Sequence, residues 1–129
     1  MIARVRGVTY SYPRTADRAL DSVTVDVPQG TFGLLTGPSA GGKTTLLRVF
    51  NGLVPQFHGG RYSGTAEVAG LDPAHTPARR MAGIAGMVFQ EPEAQAIADT
   101  VEDEIVFGME QHGLAPPRCA GASPISFPP

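Results

Sequence analysis

The chain has 129 residues, a formal net charge of −2 and an isoelectric point near 5.8. This length suffices for one domain with a real core, and 42% apolar against 17% charged residues is typical neither of disordered chains nor of coiled coils. The low net charge gives no electrostatic case for binding nucleic acid or an anionic membrane surface. No apolar run is long enough to span a bilayer, residues 1–6 do not resemble a signal peptide, and the single Cys119 excludes an intrachain disulfide. We therefore expect a soluble, cytoplasmic protein.

Apolar patterning predicts three strands and a helix in the first part of the chain. Residues 2–12 alternate loosely and end at Pro13, whereas residues 21–27 alternate strictly and place three valines on one face. Residues 32–36 are apolar without alternation, which is typical of a strand buried on both faces. Residues 44–51 follow a glycine-rich turn and predict a helix.

Shorter elements are expected between residues 52 and 90. The glycine-containing stretch 55–63 predicts a loop, and residues 65–69 predict a short strand between two glycines. The segment 77–80, which begins with proline, predicts one helical turn. The apolar residues 84–89 predict a second fully buried strand, which ends at Gln90.

A second helix is predicted from Thr100 to His112. Thr100 is a favourable N-cap, acidic residues occupy the first turn, and apolar residues recur at positions 101, 105 and 109. Gly113 ends this helix. Beyond it the periodicity is lost, and five of the last fifteen residues are proline. We therefore divide the chain into a domain, residues 1–114, and a proline-rich disordered tail, residues 115–129.

The glycine-rich turn before the first helix carries the most specific motif. Residues Gly37-Pro38-Ser39-Ala40-Gly41-Gly42-Lys43-Thr44 fit the pattern G-x-x-x-x-G-K-[ST] of a phosphate-binding loop, or P-loop. Such a loop turns backbone N–H groups toward a phosphate, and the following helix presents its unpaired amides to the same anion. Lys43 adds a charge near the β- and γ-phosphates, and the Thr44 hydroxyl can ligate Mg²⁺. The motif predicts binding of a nucleoside triphosphate.

The class of P-loop protein is a separate question. A GTPase selects its base with an Asn-Lys-x-Asp motif, which is impossible here because Lys43 is the single lysine of the chain. A nucleotide kinase stays open as an interpretation, since Arg61, Arg79 and Arg80 are available as phosphate clamps.

Three ordered motifs resemble the N-terminal half of an ABC-type ATPase. They are Tyr10-Ser11-Tyr12-Pro13, the P-loop followed by Thr45-Leu46-Leu47-Arg48, and Val88-Phe89-Gln90-Glu91-Pro92. Softer phrases, Asn51-Gly52-Leu53-Val54-Pro55 and Thr100-Val101-Glu102-Asp103-Glu104 among them, resemble the ATPases of energy-coupling-factor importers, which take up vitamins and metal ions such as cobalt and nickel. The resemblance implies an α/β fold, with a P-loop NTPase-like sheet and flanking antiparallel strands, truncated after the Q-loop region.

The resemblance also implies roles for individual residues. Tyr12 matches the aromatic residue that stacks on adenine, and Gln90 matches the Q-loop glutamine, which reaches Mg²⁺ and the attacking water. Lys43 and Gln90 are therefore the implied catalytic residues, and Thr44 and Gln90 the implied Mg²⁺ ligands. Ala40 is a departure, because the family usually has glycine at this place. The implied ATP-binding residues are Tyr12, Gly37, Pro38, Ser39, Ala40, Gly41, Gly42, Lys43, Thr44 and Thr45.

Partners follow from the same resemblance. ATPases of this family work in pairs that meet head to tail, and they dock on transmembrane subunits. We therefore expect a second ABC ATPase subunit and transmembrane transporter subunits as partners. The chain itself is expected to lie at the inner face of the cell membrane without spanning it, and to bind no nucleic acid.

Several family motifs have no counterpart in these 129 residues. The Leu-Ser-Gly-Gly-Gln signature, the apolar strand ending in Asp-Glu and the switch histidine are not found. We therefore expect the chain to bind ATP but not to hydrolyse it alone. Three interpretations stay open. They are the ATP-binding part of an importer ATPase, a stand-alone nucleotide-binding or regulatory module, and a small P-loop kinase.

The remaining polar residues predict no chemistry of their own. His58, His75 and His112 share no ligand spacing and are expected in solvent. The acidic residues between 91 and 104 are expected on a solvated surface and at a helix N-terminus, in a region that docks the membrane partner in the family. Cys119 is expected to be inert.

Overall fold

The structure is a computed structural model that describes residues 1–91 and 95–113. The chain divides into two compact units, one ending at Met87 and the other beginning at Val88. The elements in chain order are β1 (Ala3–Ser11), β2 (Leu20–Val27), α1 (Lys43–Phe50), α2 (Leu53–Gln56), β3 (Arg61–Val68), α3 (Ala78–Ala82) and α4 (Val101–Gln111). Of these, α4 belongs to the second unit and the others to the first.

The first unit is built on an antiparallel sheet with the strand order β2-β1-β3. Gly7 interrupts β1 with a positive φ of 56°, and the pairing of β1 with β2 shifts between Val5 and Val8. Because this irregularity adds a residue, Val5 and Val8 both point into the core and are fully buried. The shift explains why apolar residues in this strand alternate only loosely along the sequence.

Helix α1 packs its apolar stripe against this sheet. Leu46 and Val49 lie on one side of the helix and are buried, whereas Leu47 lies on another side and is 46% exposed. Burial of one such aliphatic side chain contributes about 1.5–3 kcal/mol. The core cluster contains Val5, Val8, Tyr10, Leu20, Leu46, Val49, Val54 and Ala66.

A smaller cluster closes the other end of the sheet. Met81 of α3 is fully buried against Ala3 and Val68, which lie on paired strands. The side-chain amide of Gln56 donates to the carbonyl oxygens of Pro73 at 2.6 Å and Thr76 at 2.5 Å, and so fixes α2 to the segment before α3. The predicted helical turn at 77–80 is confirmed as α3.

Two predicted strands are wrong in this structure. Residues 32–36 and 84–89 form no strand, and Phe32, Leu34 and Val88 are 95%, 79% and 83% exposed. A fully buried strand needs hydrogen-bonded neighbours and cover on both faces, and among the described residues no strand pairs with either segment. The predicted loop at 55–63 is also too long, because α2 extends to Gln56 and β3 already begins at Arg61.

The second unit contains helix α4, which confirms the helix predicted from Thr100. The Thr100 hydroxyl accepts from the backbone N–H of Asp103 at 3.2 Å and donates to its carboxylate at 2.7 Å. Glu104 accepts from the backbone N–H groups of Ile97 and Ala98, both at 2.8 Å, and so orders the preceding turn. Glu93, Cys119 and the predicted tail, 115–129, lie outside the described residues.

Candidate nucleotide-binding site

The P-loop leads directly into helix α1 through a glycine in a left-handed conformation. Gly42 is the N-cap of α1 and has a φ of 79°. A Cβ atom at this position would overlap the carbonyl oxygen of Ala19 and approach Leu20. No side chain caps the helix, so the amides of its first turn, which have no partner within a helix, remain available to a ligand. The loop and the helix end thus have the geometry of the phosphate cradle that the motif predicts.

Lys43 folds back over the P-loop. Its Nζ atom donates to the carbonyl oxygens of Gly37 at 3.0 Å and Pro38 at 2.6 Å. The loop itself is tightened by a hydrogen bond of 3.1 Å from the Gly41 N–H to the Pro38 carbonyl. The charge of Lys43 is thus held at the loop, where an incoming phosphate can replace neutral carbonyl oxygens as its partner.

A pocket of about 250 Å³ lies against this loop. It is lined by Tyr12, Ala19 and residues 40–45, which bring the end of strand β1 and the start of helix α1 into one site. Tyr12 is the aromatic side chain among these lining residues. A nucleotide in this pocket therefore finds main-chain amides, one cation and one aromatic ring.

The hydroxyl of Tyr12 is anchored to helix α1. It accepts from a guanidinium N–H of Arg48 at 2.9 Å and lies 3.1 Å from the hydroxyl oxygen of Thr45. The ring packs edge-on against Tyr10, with centroids 4.9 Å apart, and against His58, with centroids 5.9 Å apart. Arg48 and its contact with Tyr12 were not predicted from the sequence, where the available signal was the spacing of Thr45 and Arg48 by three residues on one helix face.

Ala40 adopts the conformation that glycine favours. Its φ is +62°, in the left-handed region, where a Cβ atom costs about 1–2 kcal/mol. The departure from glycine at this position therefore leaves the loop on a path that suits glycine, with local strain.

His58 differs from its predicted location in solvent. It is half-buried beside Tyr12, and its pKa is lowered, first by burial and second by the nearby charge of Arg48. The other two histidines are exposed as predicted, and His75 lies 2.8 Å from the carboxylate of Asp72.

Comparison with known proteins identifies the family. A family model described as "ABC transporter" matches residues 20–118, which is more than half of the chain. The chain belongs to the ABC transporter family. Among the solved structures, a nucleotide-free ATP-binding cassette from an ABC transporter aligns with a TM-score of 0.65 and 23% sequence identity. This alignment covers 96% of the chain and 46% of that cassette, and it confirms the α/β fold class.

Sequence relatives agree with this family. Two of them, each named "Putative ABC transporter ATP-binding protein", come from Methanosarcina mazei and Streptomyces avermitilis. They are 43% and 42% identical to this chain over 113 residues. These matches cover 88% of the chain but only 19% and 20% of the two relatives, so the chain spans about a fifth of their length.

The predicted site residues of the ABC cassette fall into two groups. Tyr12, Thr45 and the P-loop from Ala40 to Thr44 line the one pocket, and Gly37 and Pro38 hold the Lys43 amine beside it. Gln90 belongs to the second unit and is exposed. The arginines weighed as kinase clamps, Arg61, Arg79 and Arg80, are not among the described residues that line the pocket.

The donor set suits magnesium carried by a nucleotide. Within the described residues no cluster of three or more His, Cys, Asp or Glu side chains is arranged to hold a metal ion. Mg²⁺ in nucleotide sites takes few protein ligands and several phosphate and water oxygens. The Thr44 hydroxyl in the pocket fits that arrangement as one protein ligand.

Among the described helices, none combines the length and the apolar character that crossing a membrane requires.

Proposed function

We propose that this chain forms the ATP-binding part of an ABC importer ATPase of the energy-coupling-factor type. The observation that carries the proposal is the single pocket in which the P-loop, the start of α1 and the Tyr12 ring come together. In this role the chain couples ATP binding to the uptake of a vitamin or a metal ion. The cassette corresponds to residues 1–114.

Each group in the pocket has a distinct task in ATP binding. The main-chain amides of the P-loop and of the first α1 turn bind the phosphates, and the Lys43 amine exchanges its two carbonyl partners for phosphate oxygens. This exchange is favourable because a charge-assisted hydrogen bond is stronger than one to a neutral carbonyl. Tyr12 stacks on the adenine ring.

Magnesium and Gln90 complete the proposed assignment. The Thr44 hydroxyl would hold Mg²⁺ together with phosphate oxygens, and the ion would neutralise charge on the β- and γ-phosphates. Gln90 acts as the Q-loop glutamine toward Mg²⁺ and the attacking water. Lys43 and Gln90 are thus the catalytic residues of the assembled ATPase.

Sequence phrases support the importer subtype and its partners. The phrases at 51–55 and 100–104 are similar to those of energy-coupling-factor ATPases. We propose that a second ABC ATPase subunit and transmembrane transporter subunits assemble with this chain at the inner face of the cell membrane. Three residues of the acidic phrase occupy the first turn of α4, which places them at one helix end.

Titration calorimetry with ATP and Mg²⁺ tests the proposal. Lys43→Ala should weaken ATP binding by about 1–3 kcal/mol, which corresponds to roughly fivefold to more than a hundredfold in Kd. Arg79→Ala is the matched control, because Arg79 is an exposed cation on α3 outside the pocket. Equal affinities of wild type and Lys43→Ala would contradict the proposal, and a loss in Arg79→Ala would favour the nucleotide-kinase interpretation instead.

A further inference from the structure

Arg48 is a half-buried cation with an unusual set of neighbours. It lies on α1, one helical turn after Thr45, and its guanidinium donates to the Tyr12 hydroxyl at 2.9 Å. Its Nε atom is buried and has no hydrogen-bond partner in the described part of the chain. No carboxylate among the described residues forms an ion pair with it. Tyr12 is thus the side chain that Arg48 holds.

The chemistry of the phenol makes this contact directional. A tyrosine hydroxyl has one proton to donate, while its oxygen can accept. Because the oxygen accepts from Arg48, the proton is free to go to the Thr45 hydroxyl oxygen, 3.1 Å away. Both contacts come from helix α1, whose first residues belong to the P-loop. The distance between the Tyr12 ring and the phosphate cradle is therefore set through α1.

We propose that Arg48 is a positioning residue for ATP, which holds the Tyr12 ring as a fixed platform for the base at a set distance from the P-loop. The inference rests on the proposed function, in which Tyr12 stacks on adenine. A platform fixed before the ligand arrives costs less ordering entropy on binding than a ring that must be immobilised.

A purely structural role explains the arrangement less well. Desolvating a cation without a counter-charge is unfavourable, and an apolar side chain of similar size would fill the same space without that cost. The ring of Tyr10 and the half-buried His58, which both flank Tyr12, lie close enough for the charge of Arg48 to act on them, and neither provides a counter-charge. The hydrogen bond to Tyr12 is the contact that compensates for the burial of the Arg48 guanidinium group.

Two probes separate base positioning from phosphate binding. Calorimetry with the whole chain compares Mg²⁺–ATP with inorganic tripolyphosphate and Mg²⁺, which lacks a base. Arg48→Met should weaken ATP binding about threefold to tenfold, the effect of one hydrogen bond, and leave tripolyphosphate binding unchanged. Tyr12→Phe keeps the ring but removes the acceptor, so it should give the same pattern. The double variant should bind ATP no more weakly than either single variant.

A control variant and three contrary results complete the test of Arg48. Arg18→Met removes an exposed arginine that pairs with Asp21, and it should leave both affinities unchanged. Equal loss of ATP and tripolyphosphate affinity in Arg48→Met, or additive effects in the double variant, would overturn the positioning role alone. Failure of the wild-type chain to bind either ligand would overturn the proposed function, and the inference with it. The melting temperature of each variant, measured alongside, shows whether that variant is folded at the temperature of the titration.

Discussion

Gly42 lies so close to Ala19 that a methyl group on its Cα would overlap the Ala19 carbonyl oxygen. Ala19 precedes strand β2 and donates its own N–H to the Tyr10 carbonyl at 2.8 Å, so it is held in place by strand β1. The P-loop glycine is therefore packed against the edge of the sheet. This contact positions the start of α1, and with it Lys43 and Thr44.

Gly42→Ala should consequently damage both stability and ATP binding. The substitution meets the Ala19 carbonyl and also places a Cβ atom at a φ of 79°, so we expect a loss of at least about 2 kcal/mol in the free energy of unfolding. Urea denaturation measures this loss, and calorimetry measures the accompanying loss of ATP affinity. Gly33→Ala is the matched control, because a Cβ atom there meets no neighbour within 4 Å. Similar stabilities of the two variants would contradict the packing role of Gly42.

Ala40→Gly should instead increase the free energy of unfolding. Ala40 has a φ of +62°, and glycine removes a strain of about 1–2 kcal/mol, while the greater entropy of the unfolded chain costs about 0.4–1 kcal/mol. We expect a net gain of up to about 1.6 kcal/mol in the free energy of unfolding, measured by urea denaturation. Ala82→Gly, at the exposed end of helix α3, relieves no strain and should instead lose about 0.4–1 kcal/mol through the greater entropy of the unfolded chain. A loss of stability in both variants would show that the left-handed conformation of Ala40 carries no strain.

One buried and one partly buried tyrosine give a matched pair of hydroxyl deletions. The Tyr62 hydroxyl is buried and has no hydrogen-bond partner among the described residues, whereas the Tyr10 hydroxyl donates to the Gly59 carbonyl at 2.8 Å. At neutral pH Tyr62→Phe should be neutral or stabilise the fold by up to about 1 kcal/mol, because it removes an unsatisfied polar group. Tyr10→Phe should destabilise by about 1 kcal/mol. Urea unfolding of both variants tests the difference in sign.

Tyr62 also predicts a dependence of stability on alkaline pH. Burial, with a further contribution from the charge of Asp72, raises the pKa of Tyr62 to about 12, compared with 10.0 for a free tyrosine. Above pH 10 the unfolded tyrosine loses its proton while the folded one keeps it, so stability falls as pH rises from 10 toward 12. Tyr62→Phe lacks this contribution. Its stability relative to wild type should therefore rise between pH 8 and about pH 11, and a constant difference would contradict the raised pKa.

Local signals predicted local structure well in this chain. The capping residue Thr100 and the strict alternation of β2 each depend on neighbouring residues in sequence, and each is confirmed in the structure. The runs 32–36 and 84–89 depend on partners elsewhere, since an apolar run becomes a buried strand only beside other strands. The contact of Arg48 with Tyr12 joins residues 36 positions apart, and no periodicity encodes such a pair.

The last prediction concerns turnover. Hydrolysis requires a positioned water, an acceptor for its proton and charge stabilisation around the γ-phosphate. In the proposed function the first unit binds the phosphates, and the proposed water contact, Gln90, carries a neutral amide that is a poor base. General-base assistance is worth about 10²–10⁴ in rate, and further electrostatic stabilisation would have to come from a partner subunit. We therefore expect the isolated chain to bind ATP with barely detectable hydrolysis.

Steady-state phosphate release from the purified chain measures this expectation. Lys43→Ala serves as the background, because a contaminating ATPase would be unaffected by a substitution in this chain. Rates of wild type and Lys43→Ala should be equal within error, although calorimetry distinguishes their ATP affinities. Calorimetry reports ATP binding and phosphate release reports hydrolysis, so the two measurements together distinguish a binding defect from a catalytic one. Both are needed because the P-loop amides and Lys43 are expected to contact the phosphates in the ground state as well as in the transition state. Robust turnover by the wild type that vanishes in Lys43→Ala would mean that these 129 residues hold a complete catalytic site, and a group other than Gln90 would then have to act as the base.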